Sequence, residues 1–152
     1  MKKFFYFCLM TLTCMVGFTA CGDDDDDSKS KNDDVSISKA VIKDNGNVLT
    51  LTVTASQYGQ TASAVTTCTF DGTSDNAICI KAEQVATFPT EALAKQSWDE
   101  DYDEEDKAYG TLKLSGKSII QDLTEEFQGM TKLEVKLALE YAKAQIESGG
   151  SF

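Results

Sequence analysis

Alternation is the clearest pattern in the first half of the chain. From Val48 to Ser56, Leu49, Leu51, Val53 and Ala55 alternate with Thr50, Thr52, Thr54 and Ser56. A period of two predicts a strand with one buried face and one wet face. Val35 to Asp44 precedes it across Asn45-Gly46, a dipeptide that favours a tight hairpin turn. That turn would set Ile42 opposite Leu49 and Ala40 opposite Leu51. Val35 and Ile37 then fall out of phase, which predicts a bulge near Ser38-Lys39. Gln57 to Ser63 reads as a polar connector. A second hairpin is predicted where Ala64 to Phe70 and Ala77 to about Thr87 flank the turn formers Asp71 to Asn76. A third is predicted over Tyr109 to Leu123, turning at Ser115-Gly116.

Two segments carry a helical period instead. Pro89, the one proline, suits a helix start with Glu91 at its positive end. Thr90, Leu93, Ala94 and Trp98 then share one side, which makes Trp98 a core residue or, alternatively, a platform for a sugar ring. Thr124 is expected to open a short turn ending at Gly129. The last helix begins at Thr131, which forms a capping box with Glu134, and runs to about Glu147 before Gly149-Gly150. At about 100° per residue, Val135, Ala138, Leu139, Ala142 and Ile146 form one apolar stripe. Leu133, Leu137, Tyr141 and Ala144 form a second, nearly opposite. Lys132, Lys136, Glu140, Lys143 and Glu147 lie between them. So wide an apolar arc predicts either a helix wedged between the sheet and a second helix, or an exposed partner or dimer patch at Leu133, Leu137 and Tyr141. The elements together predict an α+β fold: an antiparallel sheet built from hairpins, with a short helix and a long C-terminal helix packed on it.

The N-terminal segment has a different character. Met1-Lys2-Lys3 is a positive start, and Phe4 to Phe18 is an almost continuous apolar run, short for a membrane span but of signal-peptide length. Thr19-Ala20-Cys21 follows. The arrangement resembles a bacterial lipobox, although Phe18 stands where Leu is usual. The resemblance implies removal of residues 1–20 and a diacylglycerol thioether on Cys21. Asp23, Asp24, Asp25, Asp26 and Asp27 come directly after Gly22, and this is similar to the surface-export tether of Bacteroidota lipoproteins. It implies an outer-membrane protein, anchored through lipid and facing the cell surface, with a periplasm-facing anchor as the alternative. The segment 21–34 is then an acidic tether and 35–152 a single domain, whose size suits one core.

Charge narrows the partners. The whole chain carries −11, and residues 35–152 hold ten Lys against eighteen acids, with no Arg or His anywhere. Such a surface repels phosphate backbones, so nucleic acid is not an expected partner. An unknown protein or a glycan is. Without His the commonest general base and metal ligand are missing. No nucleophile triad, zinc spacing or phosphate loop is present.

Two constellations remain. Cys68 and Cys79 are an even pair in an oxidising envelope. A four-residue loop at Gly72 to Asp75 would place them opposite one another, within disulfide reach of about 5.5 Å between Cα atoms. Residues Asp99 to Asp106 hold seven acids in eight positions. Asp99, Asp101 and Asp103 match the first ligands of a calcium loop, but Glu104 stands where Gly is needed and Gly110 where the bidentate Glu belongs. A solvated acidic loop is the plainer expectation, calcium the weaker one, and no other cofactor is expected. The sequence therefore reads as a non-catalytic envelope lipoprotein that binds a polymer or a protein. The alternatives are an inhibitor or structural component acting through the C-terminal helix, or a small carboxylate-dependent hydrolase.

Overall fold

The computed structural model describes residues 36–57, 59–102, 104, 107 and 110–148. They form an α+β fold with six strands in one antiparallel sheet. The strands are β1 (Ser36–Asp44), β2 (Val48–Gln57), β3 (Gln60–Phe70), β4 (Cys79–Thr87), β5 (Leu112–Ser115) and β6 (Ser118–Asp122). Helix α1 (Glu91–Asp101) joins β4 to β5, and α2 (Thr124–Phe127) and α3 (Lys132–Glu147) end the fold. The spatial order β1-β2-β3-β4-β6-β5 is a meander whose last hairpin is inserted backwards, so β5 and β1 are the edges.

Alternation decides which face is buried. Leu49, Leu51, Val53 and Ala55 of β2 point inward, as do Ala62, Ala64, Cys68 and Phe70 of β3 and Ala82 and Ala86 of β4. The predicted bulge in β1 is present, between Ile37 and Lys39. The first turn differs from expectation. Asn45 N–H donates to the Val48 carbonyl at 2.9 Å, so Gly46-Asn47 is the loop and Ile42 lies opposite Leu51. Gly46 has φ +75°, a conformation that costs other residues but not glycine. The predicted polar connector is mostly strand: β2 and β3 reach Gln57 and Gln60, which pair with one another.

The core is two clusters side by side on one sheet face. Under α3, Val135, Leu139, Ala142 and Ile146 meet Ala40, Leu49, Leu51 and Val53, with Phe70, Leu123 and Phe127 closing the end. Under α1, Ala94, Leu93 and Trp98 meet Ala64, Ala86, Phe88, Leu112 and Ile119. Between them the inward face carries polar residues. Thr66 Oγ1 donates to Gln84 Oε1 at 3.4 Å, Gln121 sits opposite Gln84, and the buried Gln121 Oε1 has no hydrogen-bond partner among the described residues.

Helix ends follow their local sequence. Thr90 caps α1 by accepting from Leu93 N–H at 3.2 Å, so it is a cap and not part of the apolar face. Thr131 and Glu134 form the predicted capping box of α3. The next free N–H groups of α3 are closed by the β3–β4 loop: Lys132 N–H donates to Ala77 O at 2.8 Å and Leu133 N–H to Asp75 O at 3.0 Å. No helix among the described residues is long and apolar enough to cross a membrane.

Candidate functional site

The two apolar stripes of α3 have opposite fates. The stripe through Val135, Leu139, Ala142 and Ile146 is buried against the sheet. On the other side Leu133, Leu137 and Tyr141 remain 46 %, 57 % and 56 % exposed. No second helix among the described residues packs on this stripe. Spaced four residues apart, they form a ridge that rises about 12 Å along the helix. Ala144, also exposed, continues it. Ile80, the other large exposed apolar residue among those described, lies at 53 % exposure on the opposite side of the sheet.

The ridge is mounted rigidly. Lys132, which the helical pattern places among the polar positions, has a side chain only 5 % exposed. Its Nζ donates to Asp44 Oδ1 at 2.7 Å, to Gly46 O at 2.7 Å and to Thr73 O at 3.4 Å. One ammonium thus ties the start of α3 to the β1–β2 turn and the β3–β4 loop. The same hydrogen bond holds the Asp44 carboxyl below the usual carboxylate range. Glu134 is lowered too, by the Thr131 backbone N–H it accepts in the capping box. Sequence reasoning missed Lys132 because a lysine between two apolar stripes reads as wet. The only hint was its place next to the cap, where the helix must meet the loops.

The cysteine pairing requires correction. The β3–β4 loop spans six residues, closed by Asp71 N–H to Ile78 O at 3.0 Å and by Ile78 N–H to Asp71 Oδ1 at 2.8 Å. A bulge next to it shifts the ladder again. Cys68 therefore lies opposite Ala82, and Cys79 opposite Phe70. Both are buried free thiols. They touch within the core: a hydrogen bond from Cys68 lowers the Cys79 thiol, while burial works against it. Cys79 Sγ also donates to Lys81 O at 3.6 Å.

The predicted calcium positions do not form a loop. Asp99 and Asp101 belong to α1, where positions i and i+2 point about 200° apart. Each is engaged on its own helix, Asp99 by Lys95 Nζ at 2.6 Å and Asp101 by Ser97 Oγ at 2.6 Å. Asp103 lies outside the described residues, as do Cys21 and Asp23 to Asp27. Trp98 is half-buried in the α1 cluster. Its ring lies 5.9 Å from Tyr102, and Lys107 Nζ sits 5.8 Å from its centroid. The indole is thus already engaged by two neighbours, a ring and a cation.

A groove of about 550 Å³ runs between edge strand β1 and α3, lined by Lys39, Val41, Ile42, Glu140, Lys143 and Glu147. The open face of the sheet carries a row of Val41, Thr52, Val65, Val85 and Ile120 flanked by hydroxyls and charges, with no aromatic side chain among the described residues. Comparison with known proteins finds no matching protein family, no matching curated protein and no matching solved structure.

Proposed function

We propose that the chain is a non-catalytic lipoprotein of the cell envelope, anchored in the outer membrane through Cys21 and facing the cell surface, and that it works by binding another protein through α3. The observation that carries the binding reading is the ridge of Leu133, Leu137 and Tyr141. A helix that already buries one full apolar stripe leaves a second open to solvent. Exposed apolar rows of this kind favour a protein surface over water. A flat polymer is the weaker choice, because Trp98 is engaged by Tyr102 and Lys107 and the open sheet face offers no aromatic platform among the described residues. The non-catalytic reading is supported by the residue types: no His or Arg exists in the chain, and the thiols of Cys68 and Cys79 are buried.

The test is photo-cross-linking in intact envelopes of the full chain, with Leu137→Glu as the comparison. A discrete adduct lost in the variant, whose melting temperature is unchanged, supports the interface. An adduct pattern identical in both removes it. The anchor is tested separately by protease shaving of whole cells beside a chain with Asp23 to Asp27 changed to Ala. Shaving of the parent and protection of the variant is the expected result. Protection of both until lysis would place the anchor on the periplasmic side.

A further inference from the structure

We infer that the partner of the α3 ridge is a second copy of this chain, paired antiparallel about a twofold axis at Leu137. This rests on the reading of the ridge as a protein interface. Three observations favour self-pairing. The ridge is self-complementary in sequence: with Leu137 against Leu137 of the other copy, Leu133 meets Tyr141 and Tyr141 meets Leu133, as an isologous contact requires. The flank toward β1 carries Lys136 and exposed Glu140 one turn apart, so the same axis brings each Lys136 to the other copy's Glu140. On the other flank Glu134 is turned back into its own capping box, where it accepts from Thr131 N–H and Oγ1 at 2.8 Å each, and does not confront the partner.

Charge selects the same occupant. Outside α3, residues 35–152 hold seven Lys against fifteen acids, whereas α3 holds three Lys and three Glu. A basic partner would be drawn to the rest of the domain, and two copies would repel one another everywhere except along this neutral helix. The neutral strip and the apolar ridge coincide. The contact is small: about half of each ridge side chain is open, on the order of 300 Å² per copy against ~800 Å² in a stable interface. Dilute chains should therefore be monomeric. Pairing belongs to copies held on one membrane, where effective concentrations reach roughly the millimolar range.

The experiment is cross-linking of the full chain in membrane vesicles with a short bismaleimide, to which the buried Cys68 and Cys79 present no accessible thiol. Leu137→Cys alone should give a homodimer. Leu133→Cys alone should not, while co-expressed Leu133→Cys and Tyr141→Cys chains should join. Glu140→Lys should lower the Leu137→Cys dimer by roughly fivefold, as two exposed ion pairs become repulsions. Adding Lys136→Glu to it should restore the yield. Equal cross-linking of Leu133→Cys and Leu137→Cys would overturn the antiparallel axis, and failure of the charge swap to restore the yield would overturn the flank pairing. If no homodimer forms at any density but Leu137→Glu still abolishes an adduct to a different protein, self-pairing falls and the protein-interface reading stands. If Leu137→Glu alters no adduct at all, both fall.

Discussion

Removing either member of the Lys132–Asp44 pair breaks the same 2.7 Å contact, yet the two losses should differ. In Asp44→Ala the ammonium stays behind with its side chain 5 % exposed. It keeps only the Gly46 and Thr73 carbonyls, with no counter-charge. Leaving a buried charge unpaired costs roughly 3–5 kcal/mol. In Lys132→Met the apolar stem is kept and the group left behind is Asp44, whose side chain is 38 % exposed and can be hydrated. The residual cost is the loss of donors to two carbonyls, about 2 kcal/mol, partly offset because no ammonium must be desolvated. At ~4 °C per kcal/mol for a domain near 100 residues, Asp44→Ala should lower Tm by about 12–20 °C and Lys132→Met by less than about 8 °C. Thermal unfolding followed by Trp98 fluorescence measures both, since Trp98 lies in the other cluster and keeps its surroundings. An equal or larger loss in Lys132→Met would refute the reasoning, because the cost would then follow the broken contact and not the charge left buried.

Other consequences are open to simpler tests. Asp44, Asp122 and Glu134 all have carboxyls lowered by hydrogen bonds in the folded state, from Lys132, Thr124 and Thr131 respectively. Their contribution is complete above the unfolded carboxylate values near ~4 and is lost as pH falls through the lowered folded ones. A Tm profile flat from pH 7 to about 5 and falling steeply below ~4 is expected; a Tm that rises on acidification would contradict it. Gln121→Met should raise stability by about 1 kcal/mol, since it removes a buried acceptor without a described partner. A destabilised variant in calorimetry would mean that the amide is satisfied. In a chain with Cys8, Cys14 and Cys21 replaced by Ser, Cys68 and Cys79 should resist a thiol reagent when folded and both react in denaturant, as buried free thiols do. Two thiols reacting at once in native buffer would be incompatible with their burial.

The elements were more legible than their arrangement. Helix α3 could be read to its ends because cap, period and stop signal agree: Thr131 and Glu134 at the start, Val135 to Ile146 along the face, glycines after Ser148. The β1 bulge followed from the phase of Ile37 against Ala40. By contrast, Gln60 to Ser63 read as loop because its inward residue is Ala62, too small to register as apolar alternation. The insertion of β6 between β4 and β5 leaves no local mark, since pairing partners are chosen by twist and by the reach of the α1 crossover. The cysteine register failed for a comparable reason. Asp71 closes a longer loop through its side chain, and a bulge at the same place moves Cys68 away from the position opposite Cys79. At the candidate site, the three ridge residues were visible as a stripe, but which of the two stripes of α3 stays exposed is seen only in the structure.

Strand order also sets how the domain would carry load. Among the described residues β1 is both the first strand and the edge beside α3, so tension applied at Ser36 enters along its axis. The ladder to β2 is antiparallel from Ser36 opposite Ser56 to Asp44 opposite Leu49, and a pull along it stresses these pairs in shear, not one at a time. If the domain is gripped at α3, force passes from β1 through Ala40 and the Asp44–Lys132 clamp directly into the helix. The four strands from β3 onward stay off that path. A domain so wired should yield at the junction of its first strand and last helix while the rest of the sheet remains slack.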